Sequence, residues 1–132
     1  MGYPKIEVST KLALYSHDLT SVLVMRYPIR GRIGLPGGHV ELRESPDDAI
    51  KRELVEELAL VVNDMKRKDF FLREGRKGPI ILAYTAVASE GIDINPTNPR
   101  FEYAEWVAKD DIENIAMSPE YIRFVLENWP NE

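Results

Sequence analysis

One stretch limits what this chain can become more than any other. It is Leu35-Pro36-Gly37-Gly38-His39-Val40-Glu41-Leu42-Arg43-Glu44, running on into Arg52-Glu53-Leu54-Val55-Glu56-Glu57-Leu58. Two glycines are followed by a carboxylate, a helix start and a helix with three crowded glutamates. At roughly 100° per residue, Glu53, Glu56 and Glu57 share one arc of a helix, and Ile50, Leu54 and Leu58 form the apolar stripe beside it. A helix that buries that stripe holds three like charges at the margin of the core. They repel one another, more strongly as they lose water, so a positive partner is expected among them. As plain structure, the same residues are a charged helix face laced with ion pairs to Arg52 and Lys51.

The chemistry open to that partner is narrowed by composition. The 132 residues include no cysteine and only two histidines, His17 and His39, so a hard cation on oxygen ligands suits the chain better than zinc. A formal charge of −5 argues against a general nucleic-acid surface. No apolar run approaches the roughly 20 residues that span a bilayer, and no signal-peptide core is present; a cytoplasmic, membrane-free protein is expected. With 44% hydrophobic and 30% charged residues, the length suits one globular domain over 1–132.

The periodicity predicts strands over Ile6–Tyr15, Ser21–Tyr27, Asp69–Leu72, Pro79–Ala88 and Phe101–Val107. Pro36-Gly37-Gly38 reads as a sharp turn or as backbone that a ligand approaches. Ser45-Pro46-Asp47-Asp48 is a helix start, with Ser45 as N-cap, proline at the first position and acids facing the positive dipole end; the helix should run to about Leu58. Ser118-Pro119 repeats the signal, and Ile122, Val125, Leu126 and Trp129 form the predicted core stripe of a closing helix. Arg26, Arg30 and Arg32 approach the glycines from upstream and are candidate phosphate contacts, or a solvated loop. The basic turn of Arg73, Arg76 and Lys77 reads as a solvated hairpin tip, and the connection from Ser89 to Arg100 is longer than most.

Gly38, five residues, Glu44, seven residues, then Arg-Glu-Leu-x-Glu-Glu resembles the 23-residue box of the Nudix hydrolases, matched at Gly38, Glu44, Arg52, Glu53, Leu54, Glu56, Glu57 and Leu60. Two positions depart from it. Ala59 stands where the family usually has glycine, which predicts a differently shaped helix exit, and Arg43 replaces a glycine of the common extension in which Glu41 and Glu44 are retained. The resemblance implies an α+β fold, a mixed sheet packed between helices in an α/β/α sandwich. It implies Mg²⁺ or Mn²⁺ held by the Gly38 carbonyl, Glu53, Glu56 and Glu57, with Glu102 as a further ligand and Glu105 a lesser candidate. Arg52 would orient a catalytic glutamate, Glu44 would support the loop–helix junction or a second ion, and Glu53 is favoured as the base.

The implied reaction is attack of water on a phosphorus of a nucleoside di- or triphosphate or a related nucleotide derivative, with Gly37 and the arginines at the substrate. The small size fits the members that remove damaged nucleoside triphosphates. The markers of dinucleoside-polyphosphate and ADP-ribose enzymes are not met. A catalytically silent nucleotide sensor and an RNA 5′-end pyrophosphohydrolase are the alternatives, and the resemblance makes a homodimer reasonable. Tyr84, Phe101 and Tyr103 are candidates to stack on a base, and Ser118 to touch its edge or to cap its helix.

Overall fold

A computed structural model describes residues 2, 5–27, 31–72, 78–94 and 103–131. Its strands are β1 (Val8–Tyr15), β2 (Ser21–Arg26), β3 (Ile33–Gly34), β4 (Gly37–His39), β5 (Lys66–Phe71), β6 (Ile80–Val87) and β7 (Tyr103–Ala108). The helices are α1 (Pro46–Leu58) and α2 (Pro119–Glu127), and a 3₁₀ segment, Lys109–Asn114, follows β7. One mixed sheet runs β3-β2-β1-β6-β5, with β4 added to β1 and β7 to β2. β1 and β6 are parallel; the other pairs are antiparallel.

Alternation along the strands divides the core in two. Leu12, Leu14, Leu23 and Met25 face α1 and pack with Ile50, Leu54 and Leu58. Ala13, Tyr15, Val22 and Val24 face the other way and pack with Tyr121, Phe124 and Val125 of α2. The fold is therefore α+β with a helix on each face of the sheet, as the apolar patterns require. Each fully buried leucine or isoleucine of the α1 stripe contributes about 2 kcal/mol relative to exposure.

β1 organises the site because it changes partners along its length. Ser9, Thr10 and Lys11 pair with His39, Gly38 and Gly37 of β4, whereas Tyr15 pairs with Val22 of β2. Between these, the Leu12 N–H donates to the Pro36 carbonyl at 2.9 Å. The expected glycine turn is thus a short strand. Gly37 sits at φ 141°, and a side chain on it would collide with the Thr10 carbonyl. Glycine is needed there for conformation and for close approach alike.

Other expectations shift by physical causes. β5 begins at Lys66 rather than Asp69. Its first half, Lys66-Arg67-Lys68, is charged because this is an edge strand, and its alternation is broken by a bulge between Arg67 and Asp69. In α2 the buried residues are Glu120, Tyr121, Phe124 and Val125, so the stripe is rotated from the predicted one. Ile122 and Leu126 are partly buried, and Trp129 lies beyond the helix, its indole N–H bonded to the Leu19 carbonyl at 2.8 Å. Ser45 does cap α1, accepting from the Asp48 N–H at 3.1 Å. Ser118 makes no capping bond; its hydroxyl donates to the Glu120 carboxylate. The tip of Arg73, Arg76 and Lys77 and most of the Ser89–Arg100 connection lie outside the described residues.

The exit of α1 also differs from expectation. Ala59 adopts the left-handed conformation, φ 51°, that a glycine would take, and the N–H groups of Ala59 and Leu60 close the helix on Val55 and Leu54. Arg43 is left-handed too, φ 64°. Both departures from the glycine pattern keep the glycine geometry and carry its steric cost.

Candidate active site

The charged edge of α1 meets β4 where β1 changes partners. Burial of the stripe through Ile50, Leu54 and Leu58 carries Glu57 inward until its side chain is almost wholly enclosed, at 3% exposure. One of its oxygens, Oε1, accepts from the Gly37 N–H at 3.1 Å. The other, Oε2, is buried with no hydrogen-bond partner. Burial pushes the Glu57 carboxyl up to about 7; the charge of Lys11 and the Gly37 N–H oppose the shift, and neighbouring Glu53 adds to it.

Glu53 lies directly against Gly38, where any side chain would overlap its carboxylate. Gly38 thus forms the floor under the Glu53 carboxylate, and its own carbonyl accepts from the buried Thr10 hydroxyl at 3.1 Å. Arg52 binds this edge together. Its Nε and Nη2 make a two-pronged pair with Glu44 at 2.7 and 3.0 Å. Nη1 reaches Glu53 and Glu56, each at 3.1 Å, with Glu41 at 3.6 Å, and Nη2 also donates to the His39 carbonyl at 3.0 Å. The planar guanidinium can meet so many acceptors at fixed angles, where an ammonium could not. The Glu44 carboxyl is lowered from its ordinary value, first by Arg52 and then by the Glu41 N–H whose hydrogen bond it accepts.

The predicted residues therefore separate into groups. Glu53, Glu57, Gly37 and Gly38 come together. Glu56 is drawn outward onto Arg52, and among the described residues no three carboxylates converge on one point. Glu44 supports the loop–helix junction through Arg52. Arg26 is bound to Glu105 at 3.0 Å and lies over the Tyr103 ring at 5.2 Å, so its charge is matched within the sheet. Glu105 is correspondingly engaged. Arg32 is exposed beside β3. Gly37 has its N–H committed to Glu57. Tyr84 is buried on the α1 face with its hydroxyl bonded to Asp47, which removes it as a base platform. Arg30, Phe101 and Glu102 lie outside the described residues.

Two participants escaped the sequence reading, Thr10 and Lys11. Thr10 was hidden because threonine is an ordinary strand residue. Lys11 did carry a signal: a lysine inside the run Val8–Tyr15, on a strand flanked on both sides, is uncommon without a partner.

These residues fit a hard divalent cation. The donors are all oxygens, one is a buried carboxylate oxygen with no partner, and the carboxylate of Glu53 lies against Gly38 beside it.

A sequence model of the NUDIX domain matches residues 8–127. An uncharacterized Nudix hydrolase of Bacillus subtilis, YvcI, is 29% identical over 114 residues, covering 83% of this chain and 71% of the relative. Among solved structures, the MutT Nudix hydrolase of Burkholderia pseudomallei superposes with a TM-score of 0.78 at 24% identity, over 96% of this chain and 100% of the other. The NUDIX domain of Shewanella oneidensis NrtR, solved with ADP ribose, gives 0.80 at 20% identity over 95% and 87%.

Proposed function

The chain belongs to the Nudix hydrolase family, and from that membership we propose that it is a divalent-metal-dependent pyrophosphohydrolase of nucleoside di- or triphosphates or related nucleotide derivatives. The observation that carries the reading is Glu57: a buried carboxylate with one oxygen on a strand N–H and the other unpartnered, beside Glu53 and the Gly38 carbonyl. An unpaired buried oxygen costs the fold stability, and a ligand that completes it recovers that cost. ADP ribose bound by the Shewanella domain supports the compound class.

In this reading Glu57, Glu56 and the Gly38 carbonyl hold Mg²⁺ or Mn²⁺, with Glu102 a further candidate. When bound, the ion neutralises charge on the phosphates and lowers the barrier to attack by water. Glu53 takes the proton of the attacking water as the new oxygen–phosphorus bond forms and the bridging bond breaks, the leaving phosphate oxygen departing with the electron pair. Arg52 positions Glu53 and holds Glu56 at the margin of the site, from which Glu56 would have to turn inward to serve as a ligand. Glu44 fixes Arg52 from the loop side, and exposed Arg32 is a candidate contact for the substrate's phosphates, as is Arg30, which lies outside the described residues.

The test is a nucleotide panel with Mg²⁺ that separates released phosphate from pyrophosphate. Turnover should require the metal and fall at least 100-fold in Glu57→Gln. Nucleotide binding with no release across the panel would point instead to a silent sensor, and equal activity with and without chelator would sink the proposal.

A further inference from the structure

Three basic residues open the edge strand β5, and they are not alike. Arg67 turns to the α1 side, where it lies over the Tyr84 ring at 6.0 Å and within 3.6 Å of Asp47. Lys66 and Lys68 make no ion pair among the described residues. Lys66 pairs with Thr85 of β6, so their side chains share one face, in line with Ile81 and Ala83 toward α2. Protection of an exposed edge accounts for charge on β5, but not for where these two lysines stand. Both line a cavity of about 600 Å³, a size usual for small-molecule sites.

Thr85 lies in the wall of the same cavity and is only 9% exposed. Its hydroxyl has no hydrogen-bond partner among the described residues. Buried hydroxyls are generally paired, and an unpaired one costs stability that a ligand can restore. Val62 and Ile92 give the cavity an apolar side, and one carboxylate, Asp64, stands against the two ammonium groups. The cavity reaches β1 at Tyr15, four residues along from Lys11, the partner of Gly37. About 13 Å of strand therefore separates it from the glutamates.

We propose that this cavity is a second binding site, for a small organic oxyanion with an apolar body. The charged group sits at Lys66 and Lys68, the body lies on Val62 and Ile92, and a polar atom of the ligand completes Thr85. Phosphate monoesters and carboxylates share that chemistry. The site needs no metal and stands independently of the hydrolytic reading.

The experiment follows the amide chemical shifts of the full chain by nuclear magnetic resonance, in chelator, as phenyl phosphate or benzoate is added. One saturating set of shifts should centre on Asp64, Lys66, Lys68 and Thr85, with a Kd of about 1 mM or below. Whichever probe binds more tightly identifies the oxyanion. Lys66→Gln with Lys68→Gln should weaken it by about tenfold or more, and Lys51→Gln, on the exposed side of α1, should leave it within about twofold. Thr85→Val should weaken it by about threefold or more while the Tm of the free protein stays level or rises, a combination that loss of structure would not produce. The exposed lysines keep the test decisive should the threonine variant fail to fold. Shifts gathered at Gly37, Gly38 and Glu53 instead, no saturation with either probe, or equal weakening by Lys51→Gln would overturn the site.

Discussion

The two helices begin alike, with Ser-Pro, and lie on opposite faces of one sheet, yet they are built for different ends. α2 buries Tyr121, Phe124 and Val125 in an apolar layer, and its one enclosed acid, Glu120, receives the Ser118 hydroxyl. α1 also buries a stripe, but encloses Glu57 with an oxygen unpartnered and lines its edge with Glu53, Glu56 and the Arg52 network. Packing satisfies itself; a binding site leaves something unsatisfied for its ligand. The α2 face is therefore expected to govern stability, and the α1–β4 edge to govern chemistry.

The sharpest way to break that division is Phe124→Ala. It should cost about 3 to 5 kcal/mol of stability, read as a shift in the denaturant midpoint, while kcat of the folded protein stays near wild type. Gly38→Ala is its counterpart on the other face. The added methyl overlaps the Glu53 carboxylate, and turnover should fall on the order of 100-fold, about 2.7 kcal/mol of barrier. A Gly38→Ala enzyme with full kcat would show that Glu53 need not sit where it does.

Third comes pH. Glu57 is raised from the ordinary 4.5 to about 7 by burial, so the folded protein holds a proton that the unfolded chain has lost across that window. Stability of the metal-free protein should therefore fall as pH rises from about 4.5 to about 7, by on the order of 2 to 3 kcal/mol, and Glu57→Gln should flatten the slope. Thermal melts of both proteins without metal check the sign.

Smaller effects separate the two helix starts. Aspartate replaces serine well at an N-cap, so Ser45→Asp should stay within about 0.5 kcal/mol of wild type. The same change at Ser118 sets a second carboxylate beside buried Glu120 and should cost about 1 to 2 kcal/mol. Equal outcomes at the two serines would mean that both cap. The smallest expected effect is a gain: Ala59→Gly relieves a left-handed alanine and should add about 1 kcal/mol without altering kcat.

What could be read from the sequence was what depends on neighbours along the chain. The span of α1, the Ser45 cap and the stripe of Ile50, Leu54 and Leu58 follow from spacing alone, and the box from Gly38 to Leu60 carried the reaction class. What escaped depends on partners that only the sheet assembles. Arg26 looks like a free guanidinium until β7 brings Glu105 and Tyr103 against it. Lys11 is an odd residue in an apolar run until β4 lays Gly37 opposite it, the residue whose N–H Glu57 accepts. Gly37 and Gly38 look like a turn because two glycines permit one; that they form a strand follows from a close approach to Thr10 and Glu53 that no local pattern contains. The charged start of β5 was hidden because edge strands need no apolar alternation.

The central claim is that the unpartnered oxygen of Glu57 belongs to a metal ion. The most direct measurement is the proton released when Mn²⁺, with methylenediphosphonate, binds at pH 6, obtained by calorimetry in buffers of different ionisation enthalpy. With its carboxyl raised to about 7, Glu57 is mostly protonated at that pH in the free protein and must ionise to ligate. Wild type should release close to one proton more than Glu57→Gln, and bind more tightly. Equal proton release and equal affinity in the two proteins would contradict the claim.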